Sequence, residues 1–313
     1  MKYNNYIKGS PKVSEVGFGA WQLGKSHDWE TMTDSEAVAL VHKALELGVN
    51  YFDTAPNYGY GSSEERLGIA LSETDRSKIV INTKFGHDAD GQTNFEADNI
   101  RQSLEGSLRR LKTDYVDSII IHNPPCEYLD GNCNVHYEIL EQLKVEGKIK
   151  AYGASLDTYE EMYKFMSTTK CEVIEAFFNI FHQDAGKAFD MAKERAVSIV
   201  VKIPLDSGWL SGKYIAESKF NDIRKRWSRD DIKTRASLVD KVKVLLNDDD
   251  EISQTAIAFC LAYDAVATVI SGNKNINQLT QNIESTKKAI SDELLKKLEN
   301  LYSQKIEKLR IPW

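Results

Sequence analysis

Only four cysteines are scattered through the 313 residues, too few and too dispersed to suggest a disulfide framework. The opening MKYNNYIKGSPKV has no apolar core of signal-peptide length. No apolar run approaches the roughly 18 residues needed to span a bilayer. These absences point to the reducing cytoplasm and away from a membrane. A basic excess is also missing: the formal net charge is -7, with Lys and Arg dispersed, which argues against a nucleic-acid partner. Cys126, Cys133 and His136 lie close together, but their spacing fits no usual structural zinc pattern and a fourth nearby ligand is lacking. Ordinary loop chemistry is expected there, with no metal. There is no low-complexity tract and no linker, so residues 1–313 read as one domain. Hydrophobic residues at 42% and charged residues at 28% suit a folded globular chain rather than a disordered one.

What is present is an alternation of two periods. Short β-branched runs begin at residues 16, 50, 78, 115, 149, 171, 198 and 267 and end in polar or small residues. Helical patterns lie between them, such as DSEAVALVHKALELG from 34, DNIRQSLEGSLRRL from 98, EILEQLKVEG from 138, DTYEEMYKFM from 157 and ISQTAIAFCLAY from 252. Asp34, Asp98 and Asp157 stand where N-caps belong, and Gly48 and Gly147 where helices stop. Eight strands, each followed by a helical segment, predict an α/β fold of the (β/α)₈ TIM-barrel type. The strand runs alternate little, as expected of a parallel sheet covered on both faces. KYNNYI and KVSEV around GSP predict an N-terminal hairpin closing the barrel floor, and a charged helix from about 291 is an extra C-terminal element. A doubly wound dinucleotide fold would need GFGAWQ at 17 as its fingerprint, which lacks the third glycine and a following helix pattern.

In such barrels the working face is the C-terminal rim of the strands. The second strand delivers Asp53 there, the third Lys84 and the fourth His122. Adjacent strands lie about 4.8 Å apart, so these groups come within reach of one another. The loop after the second strand returns Tyr58 over them, with Gly59 and Gly61 permitting the tight path. A phenol ordinarily titrates at about 10 and is a sluggish acid near neutrality. A nearby Lys84 ammonium is expected to lower that value, and Asp53 to keep the ammonium charged. A neutral His122 can donate to a substrate oxygen. The four form a general acid and an oxyanion site for a carbonyl being reduced, which requires hydride from a nicotinamide cofactor. Each residue alone has an ordinary explanation as turn, solvated charge or packing; their coincidence on consecutive strand ends is what argues for chemistry.

The chain at this point resembles the aldo-keto reductase family. GFGAWQLG from 17, FDTAPNYGYGSSEERLG from 52, INTKFG from 81, SLRRLKTDYVDSIIIH from 107, PLDSGWLSGKY from 204 and SGNKNINQLTQNI from 271 carry the resemblance nearly end to end. It implies the barrel fold, the tetrad Asp53, Tyr58, Lys84 and His122 with Tyr58 as acid, and reduction of aldehydes or ketones, or oxidation of alcohols, with NADPH or NADH. It further implies that Ser155 and Asn179 hold the nicotinamide amide and that Gly19, Ala20 and Trp21 lie beside the ring. Pro204, Leu205, Ser207, Gly208 and Leu210 would strap the pyrophosphate, and Gly272, Asn273, Lys274, Gln278 and Asn282 would meet the adenosine end. Lys274 beside a helix N-terminus suits a 2′-phosphate and favours NADP over NAD. Two departures stand out. Leu156 replaces a polar residue after Ser155, and Lys202 occupies an aromatic position on the seventh strand, where its amine would disfavour a cationic ring or else point elsewhere.

Three functions stay open on the sequence: a carbonyl reductase or alcohol dehydrogenase, a lyase using Lys84 as a Schiff base, and a cofactor-binding regulatory subunit of the same fold. A small-molecule carbonyl or alcohol is the expected partner. Trp21 and Trp209, with Tyr58 and His122, are expected to wall the substrate, with Phe85, Phe181 and Trp227 as further aromatic candidates. Asn123 and His182 nearby suit a sugar or small hydroxy-carbonyl. RKRW at 224–227 is a basic run that would meet either solvent or a phosphate.

Overall fold

The computed structural model describes residues 1–25, 28–247 and 250–312. A hairpin of β1 (Tyr3–Asn4) and β2 (Val13–Ser14) precedes the barrel strands. These are β3 (Val16–Gly19), β4 (Tyr51–Asp53), β5 (Val80–Phe85), β6 (Val116–Ile121), β7 (Ile149–Leu156), β8 (Val173–Phe177), β9 (Ser198–Lys202) and β10 (Val266–Gly272). All eight are parallel, and pairing of β10 with β3 closes the cylinder, as the sequence predicts. The helices between them include α1 (Asp34–Glu46), α2 (Ser62–Leu71), α3 (Asn99–Leu111), α4 (His136–Val145), α5 (Tyr159–Thr168), α6 (Phe189–Glu194), α7 (Arg229–Lys243), α8 (Ile252–Leu261) and α9 (Ile276–Glu284). The predicted C-terminal extra is α10 (Asp292–Leu301). No helix among the described residues is long and apolar enough to cross a membrane.

Strand residues alternate between two cores. Phe52, Ile81, Phe85, Ile119, Ile121, Leu156, Ile174 and Val201 face the helices. Tyr51, Val80, Ile120, Ala151, Val173 and Val200 face inward and meet Tyr6, Ile7 and Val13 from the hairpin, which plugs the barrel floor. Two residues further along the same inward rows are Asp53 above Tyr51, Asn82 above Val80 and Glu175 above Val173, and Lys84 follows two beyond Asn82. Period 2 therefore carries one face of each strand from apolar floor to polar rim.

The caps differ from expectation at two of three positions. Thr33 and Thr158, not Asp34 and Asp157, cap α1 and α5, each in a capping box with Glu36 or Glu161. A threonine hydroxyl and a glutamate three residues on satisfy two amide donors, whereas Asp34 lies one step inside α1 and Asp157 one step before the cap of α5. Asp98 is the N-cap residue of α3 but makes no side-chain cap bond. Gly48 and Gly147 end α1 and α4 with positive φ of 89° and 72°.

Candidate active site

The rim of β4 and β5 builds the centre. Lys84 is fully buried, and its Nζ donates to both oxygens of Asp53 at 2.6 and 2.7 Å and to the carbonyl of Thr54 at 3.0 Å. Asn82 Nδ2 donates to the same carboxylate at 2.7 Å, and Ser118 Oγ donates to Asn82 Oδ1 at 2.6 Å. Below it, Tyr6 and Ser118 share a 2.7 Å hydrogen bond, so a polar column links the floor plug to the rim. A second carboxylate, Glu175 on β8, approaches Lys84 Nζ at 3.3 Å.

Tyr58 returns over this group on the loop between β4 and α2. Gly59 and Gly61 have φ of 60° and 87°, and Tyr60 between them also has positive φ. Ser63 Oγ donates to the Ala20 carbonyl at 2.7 Å, and the Lys25 amide donates to Ser62 Oγ at 2.8 Å, pinning the loop to the one after β3. Lys84 Nζ lies 5.1 Å from the centre of the Tyr58 ring. The Tyr58 ring stands 5.8 Å from that of Trp21, stacked, and 5.8 Å from that of His122, edge to face. The four predicted residues thus converge on one spot.

Their protonation is set by burial and by one another. Burial pushes Asp53 up, repulsion from Glu175 adds to this and Lys84 opposes it, leaving the carboxyl at about 7. Burial works against a charged Lys84, but Asp53 and Glu175 outweigh it and hold the ammonium. Burial, helped by Lys84, His87 and Lys202, pushes His122 well below the ordinary imidazole value, so it is neutral at pH 7. Tyr58 departs from expectation. Lys84 does pull the phenol down, but burial, with Asp53 and Glu175 behind it, wins, and the group is raised. Tyr58 is therefore a protonated phenol throughout the neutral range.

One cavity of about 1310 Å³ runs from this centre across the rim to α9, larger than the roughly 300–1,000 Å³ usual for a single small ligand. Gly19, Trp21, Asp53, Tyr58, His122, Ser155, Lys202, Pro204, Leu205, Ser207, Gly208, Gly272, Lys274, Gln278 and Asn282 line it. Ala20, Asn179, Leu210 and Asn273 do not; they are buried behind the wall. Asn179 is engaged structurally: its Nδ2 donates to the Ile203 carbonyl at 2.9 Å and its Oδ1 accepts from the Phe181 amide at 2.8 Å. It thereby holds Ile203, a β-branched residue at φ 56°, where backbone strain is appreciable. Asn273 accepts from Asn282 Nδ2 at 2.9 Å and donates to the Ser271 carbonyl, bracing the turn before α9.

Trp209, expected to wall the substrate, is wholly buried instead, packed among Tyr214, Phe220 and Trp227. Of the five aromatic candidates Trp21 alone lines the cavity; Phe85, Phe181 and Trp227 are core. Trp29, Tyr214, Phe220, Gln22 and His87 line it unanticipated. Lys202 is fully engaged: its Nζ donates to Asn123 Oδ1 at 2.7 Å and Ser155 Oγ at 2.8 Å and pairs with Asp157 at 2.8 Å. Lys274 pairs with Glu30 across the cavity mouth. Arg224 of the basic run donates to the Ser207 carbonyl at 2.8 Å, pairs with Asp222 and lies over the Trp29 ring at 4.9 Å. His136 bonds the Phe95 carbonyl at 2.6 Å.

Fold and site together define a parallel barrel whose polar wall occupies the C-terminal strand ends. The chain belongs to the Aldo/keto reductase family, which matches residues 15–303. The uncharacterized oxidoreductase YqkF of Bacillus subtilis is 29% identical over 305 residues, 95% of either chain. L-galactose dehydrogenase of Arabidopsis thaliana is 28% identical over 279 residues, 87% of this chain and 84% of that one. Among solved structures, aldo-keto reductase AKR11C1 from Bacillus halodurans in its holo form shares the fold with a TM-score of 0.80, at 27% identity and 96% coverage of each chain.

Proposed function

We propose that this protein, acting as a single barrel domain, interconverts a carbonyl and an alcohol with a nicotinamide cofactor, NADP in preference to NAD. The observation that carries the reading is the convergence of a protonated Tyr58, a neutral His122 and the Lys84–Asp53 pair on one end of a cavity whose volume of about 1310 Å³ leaves room for a dinucleotide. The wall suits such a ligand: Gln22 Oε1, His122 Nδ1 and Glu175 Oε2 are buried polar atoms with no hydrogen-bond partner. Ser155 and Lys202 would face the ring, Ser207 and Gly208 the pyrophosphate, and Lys274 and Gln278 the adenosine.

A bound nicotinamide would supply or accept the hydride. Tyr58 gives its proton to the oxygen of a carbonyl undergoing reduction, and Lys84 stabilises the phenolate left behind. His122, uncharged, orients that oxygen by hydrogen bonding where negative charge develops. Lys84 itself is a poor Schiff-base nucleophile, since its protons are committed to Asp53 and Thr54. The NADP preference rests on Lys274 beside the start of α9, where a 2′-phosphate would compete with Glu30 for the ammonium. His87, Asn123 and Trp21 around the centre favour a sugar or small hydroxy-carbonyl. The free state of all four cysteines accords with a reducing cytoplasm.

Tyr58→Phe tests the assignment. Its turnover should fall roughly 10²–10⁴-fold with NADPH and an aldehyde or aldose panel, while NADPH binding by fluorescence titration stays within a few-fold. Retained turnover would remove Tyr58 as the acid.

A further inference from the structure

The charges buried at the tetrad end of the cavity do not balance. Lys84 is shared by Asp53, at 2.6 Å, and Glu175, at 3.3 Å. The other buried cation, Lys202, is neutralised by Asp157. With both carboxylates ionised, one negative charge is left over, and it falls on Glu175. Its Oε2 is the atom that Lys84 approaches, without a hydrogen bond, and its Oε1 has only a long 3.4 Å contact from Ser155, whose hydroxyl has a shorter acceptor in Asn123 at 2.9 Å. Glu175 is only 3% exposed yet lines the cavity beside Tyr58 and His122. A carboxylate so placed is costly unless something in the working state offsets it.

We propose that Glu175 is the electrostatic partner of the oxidised nicotinamide ring and sets how strongly the protein prefers the cationic to the neutral form of the cofactor. This rests on the nicotinamide reading above. In the direction of reduction, Glu175 stabilises positive charge on a ring that has given up hydride, while Tyr58, His122 and Lys84 meet negative charge on the substrate oxygen. One wall thus answers both charges that the reaction separates. The amine of Lys202 does not repel the ring, because Asp157, Asn123 and Ser155 hold it.

The test is a fluorescence titration of the purified protein at pH 8 with NADP⁺ and NADPH, and with NAD⁺ and NADH. In Glu175→Gln the affinity for the oxidised relative to the reduced form should fall about tenfold, equivalent to about 1.4 kcal/mol. Glu175→Asp, which keeps the charge, should retain the wild-type ratio within about threefold, a margin of less than 1 kcal/mol. A merely structural Glu175 would weaken both forms together, and an unchanged ratio in Glu175→Gln overturns the proposal. Failure of the wild type to bind any of the four dinucleotides would instead overturn the cofactor reading itself.

Should Glu175→Gln not fold, the wild type titrated from pH 8 to pH 6 serves. Lys84, Tyr51 and Tyr58 act on both carboxylates and Tyr6 on Asp53, while His122, His87 and the Lys202–Asp157 pair lie next beyond them. The ammonium of Lys84 is held charged, the phenols are pushed up and the imidazoles down, so proton uptake by Asp53, which leaves the Lys84 charge to Glu175, dominates this window. Phosphates common to both forms cancel in the ratio. Preference for the oxidised form should fall with pH, and a flat ratio overturns the proposal.

Discussion

Asn82 holds its amide between two residues it cannot exchange. It donates to Asp53 Oδ1 at 2.7 Å and accepts from Ser118 Oγ at 2.6 Å, all three buried. Asp53 in turn fixes the ammonium under Tyr58, so in the function proposed above Asn82 is a positioning residue one step removed from the chemistry. Asn82→Leu has nearly the same volume but leaves a carboxylate short of a donor and a hydroxyl short of an acceptor, at a cost of about 1–3 kcal/mol. We expect kcat to drop roughly tenfold or more as Lys84 shifts, with cofactor affinity nearly unchanged. Denaturant unfolding and the separation of kcat from KM check the two halves. The residues of this centre were legible to different degrees. Asp53 ends β4, Lys84 is next to last in β5 and His122 directly follows β6, and a strand end is visible in the sequence. Glu175 was missed because it lies inside VIEAF rather than at an end, although a lone charge within a buried apolar run is itself a signal. Tyr58 was found, but its raised protonation range was not, because it depends on burial and on Glu175, two facts of three-dimensional packing.

The loops after β3 and β4 cross at two glycines. A Cβ on Gly59 would lie 2.2 Å from the Lys25 amide nitrogen and 2.4 Å from Gly24 Cα, and one on Gly24 would lie 2.7 Å from the Gly59 nitrogen. Neither loop can yield without moving Tyr58, which is adjacent to the contact. Gly59→Ala combines that clash with the left-handed backbone at φ 60°, itself worth about 1–2 kcal/mol. It should destabilise the fold by at least about 2 kcal/mol and reduce kcat roughly a hundredfold. Gly147→Ala is the control: φ is 72° but nothing lies within 4 Å of its Cβ. It should cost only about 1 kcal/mol and leave turnover intact, as thermal melts and steady-state rates would show. At this scale the sequence reads well for elements and poorly for their reasons. Runs with β-branched residues marked the eight strands, whereas the SSEERLG segment turns out to be bracing. Glu64 is buried, accepting from Thr83 Oγ1 at 2.6 Å and Arg110 Nε at 2.7 Å, and Arg66 ties α2 to Asp34 and the Met32 carbonyl. Partners 19 to 46 residues apart cannot be read from local spacing. For the same reason Trp209, placed near the site by its position after β9, faces the core, where Trp227 and Phe220 receive it.

Across the whole molecule, the segment that lines the middle of the cavity depends on residues far outside it. Arg235 on α7 is fully buried, donating through Nε to Asp206 at 3.0 Å and through a second nitrogen to the carbonyl of Pro312 near the end of the chain. Its guanidinium also covers the Trp227 ring at 4.4 Å. Asp206 opens the turn that carries Ser207 and Gly208, with φ of 44°, 53° and 96° in succession, so one cation fastens cavity loop, α7 and C-terminal tail together. Burial alone would push Asp206 up, but His182 and Arg235 outweigh it and hold the carboxyl below its ordinary range. An acid lowered on folding contributes stability above its unfolded value, about 3.9, and loses it as pH falls through the folded value. Arg235→Met keeps much of the packing but leaves a buried carboxylate without its main hydrogen-bonded cation, a loss of about 3–5 kcal/mol. In the variant Asp206 should move above its unfolded value, reversing the sign of its contribution, so stability then declines as the carboxyl ionises. The gap between wild type and Arg235→Met should therefore be largest near pH 8 and narrow towards pH 4, which urea unfolding at the two pH values would measure. A gap independent of pH would mean that Arg235 acts through packing on Trp227 and the tail rather than through the charge of Asp206.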